Sequence, residues 1–202
     1  MSEVTADFYD EEYFTKGVKS NYGGRFAAYV EEVFYPIAKM MRVKLVTVFE
    51  PKKVMVLGCA RGYLVRALRE VGVEAYGVDI SKWVVENADE KAKNYIFLGD
   101  IADLSRWKNG EFDLVVAADV LEHIPREKLP KVLDEIARIC SRHVYALIPV
   151  VDVLRHDRCH VSIFPSRWWI KQFEQRGFTL FSLSFTKQRD GITNAEMAFV
   201  KV

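Results

Sequence analysis

From Pro51 to Pro149 short apolar runs alternate with amphipathic stretches, and this alternation constrains the fold more than any other feature of the chain. "KVMVL" (53–57), "EAYGV" (74–78), "NYIFL" (94–98), "FDLVVAA" (112–118) and "HVYALIPV" (143–150) read as strands. Between them, "YLVRALREV" (63–71), "SKWVVENADEKA" (81–92, with Ser81 as N-cap) and "REKLPKVLDEIARIC" (126–140) carry helical periodicity. Near-continuous apolar strands separated by helices predict a parallel sheet covered on both faces.

The segments on either side of this core differ from it. Residues 1–24, with "DFYDEEYFTKGVKSNYGG", are rich in aromatic, acidic and glycine residues and read as an arm, of which 8–24 are expected to close as a lid. Two helices, 25–34 and 37–49, are expected next, with Pro36 between them at a break or in a first turn. After Pro149 comes a loop, "VVDVLRHDRCHVSIF" (150–164), then a helix over 166–176 closed by Gly177. "FTLFSLSFTK" (178–187) and "NAEMAFVKV" (194–202) read as an antiparallel pair turning near Asp190-Gly191 at one sheet edge. The expected organisation is a single domain, 1–202, with an N-terminal arm and helices (1–50) and a core (51–202).

Composition narrows the class. A formal net charge of +1 over 202 residues gives no bulk field pointing to nucleic acid or a membrane surface. Cys59, Cys140 and Cys159 are too few and too scattered for a disulfide framework, which favours a reducing compartment. The acidic start, "MSEVTADFYDEE", lacks the apolar core of a signal peptide, and no apolar run reaches membrane-spanning length. A cytoplasmic location is expected.

The chemistry is written at the strand ends. "VMVLGCARGYLVRAL" (54–68) runs from a strand through a turn bounded by Gly58 and Gly62, with Cys59 and Ala60 inside it, into a helix. Such a turn lets backbone N–H groups face a ligand. Asp79 ends the second strand in "YGVDIS", Asp100 follows the third in "FLGDIADL", and Asp119 follows the fourth in "FDLVVAADVLEHI". Ligands of open α/β sheets bind outside the carboxyl ends of the strands, and these three acids outline a nucleoside pocket there. A dinucleotide fingerprint would need glycine at 60 and 63, where the chain has Ala60 and Tyr63.

The ordered set "VMVLGCARG", "YGVDIS", "LGDIADL", "FDLVVAADVLEHI", "YALIPV" and "HVSIFPSRWWIKQFEQRGF" resembles the class I S-adenosylmethionine-dependent methyltransferases over residues 51–202. Within that family the chain is similar to small-molecule and glycan methyltransferases with a Gly-Cys-Ala-Lys-Gly type loop. The resemblance implies a Rossmann-like seven-stranded sheet, mostly parallel, with an antiparallel last strand and helices on both faces. It implies S-adenosylmethionine as cofactor, its methionine part wrapped by Gly58–Gly62 and lying near Ala118 and Asp119. Asp79 would then accept ribose hydroxyls, Ile80 would pack on adenine, and Asp100 with Ile101 would receive the adenine amino group. Tyr22, in "SNYGG", is expected in the closing arm. Family members carry an acid two residues before the first glycine; here that residue is Val56. This departure keeps a non-catalytic cofactor-binding module as an alternative.

Methylation of an oxygen needs a base, and the candidates are His160, in the loop after the fifth strand, and His123, in "LEHI". Asp157 stands where it could orient His160. Asp119, Glu122 and His123 form a D-x-x-E-H spacing, and with His160 it resembles the magnesium cluster of small-RNA 2′-O-methyltransferases. That gives a second alternative, although Asp119 is already assigned to the cofactor and no metal is expected. Phe164, Trp168 and Trp169 follow the loop, and one of the two tryptophans is expected to be buried. The expected reaction is therefore O-methylation of a small molecule or glycan.

Overall fold

A computed structural model describes residues 5–16, 29–152, 159–187 and 192–202. Among the described residues seven strands form: β1 Lys53–Leu57, β2 Glu74–Asp79, β3 Ile96–Leu98, β4 Phe112–Ala118, β5 Cys140–Asp152, β6 Phe178–Lys187 and β7 Ile192–Lys201. Their order in the sheet is β3-β2-β1-β4-β5-β7-β6. This is the Rossmann-like arrangement expected from the sequence. The chain divides into two compact units, residues 1–101 and 102–202.

In the first unit β1, β2 and β3 are parallel, with Met55 opposite Tyr76 and Gly77 opposite Ile96. Val54, Met55, Val56 and Leu57 are all buried, as a strand covered on both faces requires. The helices are α1 Glu11–Lys16, α2 Glu31–Phe49, α3 Tyr63–Arg69 and α4 Lys82–Glu86.

In the second unit β5 is parallel to β4 and antiparallel to β7, and β6 pairs antiparallel with β7. Its helices are α5 Leu129–Ile139 and α6 Ser166–Glu174. β6 is exposed along most of its length, with Phe181 and Phe185 both 56% accessible. The β6–β7 turn lies outside the described residues.

Three expectations need correction. Pro36 does not separate two helices but lies inside α2. The carbonyl that its ring displaces belongs to Glu32, an exposed residue of the first turn, so water can satisfy it. Residues 87–92 do not continue α4. The Asn87 amide folds back on the Trp83 carbonyl (2.9 Å), and Asp89 is drawn inward to the Arg66 guanidinium (2.9 Å). Side chains that bond locally in this way compete with helix. β3 begins at Ile96, because residues 93–95 form a 3-10 turn. Among the described residues no helix is long and apolar enough to cross a membrane.

Candidate active site

In the first unit the site is built around the turn after β1. Gly58, Ala60 and Gly62 all have positive φ, at 59°, 45° and 81°. For alanine that conformation is strained. A carboxylate holds it: Asp79, the last residue of β2, accepts hydrogen bonds from the Ala60 N–H and the Ser81 N–H, both at 2.9 Å. Asp79 is buried, and burial raises its carboxyl pKa, while backbone donors at Ser81, Ala60 and Ile80 oppose the shift. The acid expected at the ribose therefore also organises the glycine turn.

Two glycines are steric necessities here. A Cβ on Gly77 would lie 2.6 Å from Cys59 Sγ, so the turn can close on β2 only over a bare backbone. A Cβ on Gly62 would meet Ile96 Cδ1 at 2.1 Å. Cys59 is buried, and its thiol is pushed well above its ordinary pKa by burial first and by the Asp79 charge second. It is a packing residue rather than a nucleophile.

Beside the turn lies a cleft of about 420 Å³, lined among others by Tyr9, Ile80, Trp83, Leu98 and Asp100. Leu98 is 55% exposed and Ile80 37%, an unusual exposure for aliphatic residues unless something covers them. Asp100 sits just beyond β3, as the sequence placed it, whereas Ile101 is buried beside it. One wall comes from the N-terminal segment. The Ser81 hydroxyl donates to the Tyr9 carbonyl at 2.5 Å, and Phe14 stacks on Trp83 with ring centroids 5.7 Å apart. Phe14 also packs with Ala60 and Val84, joining the arm to the turn itself. Tyr22 and the rest of "SNYGG" lie outside the described residues.

The second unit holds the remaining candidates. Ala118 ends β4, and Asp119 follows with φ 52°, its N–H bonded to the Leu147 carbonyl at 2.9 Å. Asp119 keeps an accessible surface, yet protein surrounds it closely enough to push its carboxyl up to about 6.

Past it, a 3-10 turn over Leu121–His123 carries Glu122, fully buried, and His123. The N–H groups of Val161 and Ser162 both donate to the Glu122 carbonyl at 2.9 Å, which lays the end of the loop along this turn. His123 and His160 consequently meet, with ring centroids 5.1 Å apart. His123 Nδ1 contacts the Cys159 carbonyl at 3.2 Å, and His123 Nε2 lies 3.7 Å from Glu122 Oε1. Asp157, the expected partner of His160, lies outside the described residues. Trp169 is fully buried, as expected of one tryptophan of the pair, and Trp168 stacks on Phe164 at 4.1 Å.

The sequence reading omitted Tyr9, Trp83 and Leu98 from the pocket, and treated Glu122 only as a possible ligand. Trp83 had a signal: it stands two residues past the N-cap Ser81, and so beside the strand end. Tyr9 had none beyond its place in an aromatic arm.

Residues 55–148 match the family model of a methyltransferase domain. The magnesium-protoporphyrin O-methyltransferase of Synechocystis sp. is 32% identical over 95 residues, which is 43% of this chain and 40% of that protein. The ubiquinone biosynthesis O-methyltransferase of Methylococcus capsulatus is 30% identical over 95 residues, 43% of this chain and 39% of its own. These matches therefore span about two fifths of the length of the curated relatives. A crystal structure of the Synechocystis magnesium protoporphyrin IX methyltransferase with bound SAH is similar along 98% of both chains, with a TM-score of 0.75 at 20% identity, which establishes the shared fold. In strand order and in the matched segment, 55–148, the chain is similar to the class I S-adenosylmethionine-dependent methyltransferases.

Proposed function

We propose that this protein is an S-adenosylmethionine-dependent methyltransferase that methylates an oxygen of a small-molecule or glycan acceptor, as a single cytoplasmic domain. The observation that carries the reading is the cleft beside the Asp79-locked turn, where Ile80 and Leu98 offer an apolar surface and Asp100 a carboxylate acceptor. That combination suits adenine, a flat apolar ring bearing an amino donor. The two relatives named above are both O-methyltransferases, which supports oxygen as the acceptor atom.

Each residue has a role in this reading. The Gly58–Gly62 turn, with Cys59 and Ala60, wraps the methionine part of the cofactor. Asp79 accepts the ribose hydroxyls with the lone pairs its backbone bonds leave over. Ile80, Asp100 and Ile101 hold adenine, and Tyr22 belongs to the closing arm. Ala118 and Asp119 keep the roles near the methionine end that the resemblance assigns them. Methyl transfer from a sulfonium is an in-line displacement, so the protein chiefly supplies alignment and a dry site. His160, seated against His123, takes the acceptor's proton.

Leu98→Arg tests the placement. Leu98 is exposed in the cleft, so an arginine there fills the space without touching the core. Calorimetry should show one S-adenosylhomocysteine site in the wild type, and a loss of at least about tenfold, roughly 1.4 kcal/mol, in the variant. Unchanged affinity in a variant of normal melting temperature would remove the cleft from the reading. One-site binding with no methyl transfer to any hydroxylated acceptor in a broad screen would instead favour the non-catalytic module, for which Val56 is the motive: it is buried at the position where the resemblance calls for an acid.

A further inference from the structure

We propose that α2 docks this protein on an anionic lipid bilayer, the helix lying along the surface with Ile37, Met40, Val43 and Val48 set into the boundary of the acyl chains. The helix is apolar on two faces, and folding uses only one of them. Ala38, Leu45 and Phe49 are its buried residues, and Phe34, Tyr35 and Ala38 pack with Tyr63 and Ala67 of α3. That inner stripe is what an amphipathic helix needs to hold its place in a domain. The outer face carries Ile37, Met40, Val43 and Val48, which are 45%, 75%, 54% and 49% exposed. At 100° per residue the four fall within an arc of roughly 140°. Pro36 and Thr47, also exposed, lie in the same arc and bring no charge to it. Single exposed aliphatic residues are ordinary, but four on one arc of one helix form a patch of the kind that marks an interaction surface.

The charges around the arc select its occupant. Lys39, Arg42 and Lys44 lie in this helix, and no carboxylate occurs between Glu32 and Glu50. Lys39 borders the arc and Lys44 rises within it, both exposed. Such side chains lay their stems along apolar surface and carry the ammonium group outward to phosphate headgroups. The net charge of +1 conceals this, because the balancing carboxylates stand elsewhere in the chain. A second copy suits the face poorly. Laid face to face, two such helices would bring Lys39 and Lys44 of both copies into one contact. One helix ridge also offers far less than the roughly 1,200–2,000 Å² that a stable protein interface buries. An anionic bilayer answers the apolar arc and the cations together. Among the described residues no helix is long and apolar enough to cross a membrane, so α2 lies on the bilayer rather than through it. The claim rests on this helix alone and not on the methyl-transfer reading.

The test is sedimentation of the full chain with vesicles, without cofactor or acceptor, so that its outcome is separate from catalysis. Vesicles of phosphatidylcholine with about 30% phosphatidylglycerol should bind the protein at about 0.1–1 mM lipid, and phosphatidylcholine alone should bind it at least about fivefold more weakly. Added salt should reduce binding to the anionic vesicles. Met40→Glu with Val43→Glu should weaken that binding by at least about tenfold. Lys39→Gln with Lys44→Gln should weaken it by about fivefold or more, since each cation near an anionic surface contributes about that factor. All four positions are exposed, so both double variants should keep the wild-type melting temperature and S-adenosylhomocysteine affinity. Should the glutamate variant melt early, the lysine pair carries the test. Phe185→Glu, at an exposed apolar position of β6, is the control and should bind as the wild type does. No binding to the anionic vesicles at about 1 mM lipid, equal affinity for both vesicle types, or wild-type affinity in either folded double variant overturns the proposal. So does a doubling of mass in lipid-free solution that Met40→Glu with Val43→Glu abolishes, which would make a second copy the occupant.

Discussion

Replacing Asp79 with alanine removes the two hydrogen bonds that hold the turn after β1, those from Ala60 N–H and Ser81 N–H at 2.9 Å. Hydrogen bonds to a charged acceptor contribute about 1.5–3 kcal/mol each, which sets the gross loss at roughly 3–6 kcal/mol. Burial of the carboxylate offsets part of this, so the net loss of stability should be about 2–4 kcal/mol. Urea unfolding at neutral pH measures it.

A second arm of the experiment isolates the cause. Ala60 is held at φ 45° by one of these bonds, so Asp79→Ala and Ala60→Gly should not be additive. A double-mutant cycle should give a coupling of about 0.5–1.5 kcal/mol. A third arm uses pH. Asp79's folded-state pKa is raised from its ordinary value of 3.8, so the native state holds the proton more tightly than the unfolded chain does. The stabilisation from that proton is complete below 3.8 and is lost as pH rises through the folded-state value. The stability gap between wild type and Asp79→Ala should therefore shrink as pH rises through that window. Loss of ribose contacts should also weaken cofactor binding by about tenfold or more. Unaltered stability together with strict additivity would refute the claim that Asp79 locks the turn.

Gly77→Ala would place a methyl group 2.6 Å from Cys59 Sγ, and thermal melts should show a loss of about 1–3 kcal/mol, as overpacking gives; an unshifted melt would deny the close approach. Phe14→Ala should loosen the arm by removing the stack on Trp83, seen as faster hydrogen exchange over 5–16 and weaker cofactor binding with the core unchanged. Equal exchange and affinity would disprove the lid role. Once an acceptor is found, His160→Ala should lower turnover by ~10²–10⁴-fold with cofactor affinity retained. Turnover within a few-fold of wild type would take His160 out of the mechanism.

The sheet was legible because its strands are apolar runs of the right length bounded by glycine or acid, and no tertiary contact overrides that pattern in β1, β2 or β4. The errors lie where one side chain redirects the backbone. Asp89 leaves the helix it was assigned to because Arg66, twenty-three residues earlier, draws it inward. Pro36 reads as a breaker, yet a solvent-facing carbonyl tolerates it. In the site, Asp79 and Asp100 were legible because strand ends place them. The meeting of His123 with His160 was not, since it depends on loop backbone bonding to Glu122. The wall supplied by Tyr9 was hidden likewise, for docking across 72 residues leaves no periodicity.

The three thiols provide a clock for each neighbourhood. Cys59 under the glycine turn, Cys140 at the head of β5 and Cys159 beside His123 are all buried, and burial raises the pKa of the first two, Cys140 to about 11. A thiol reagent can reach any of them only when the surrounding structure opens, so labelling rates report local opening without introduced probes. Cys59 times the turn, Cys140 the β4–β5 pairing and Cys159 the histidine cluster. A ligand seated on the turn should slow the first reaction and spare the second.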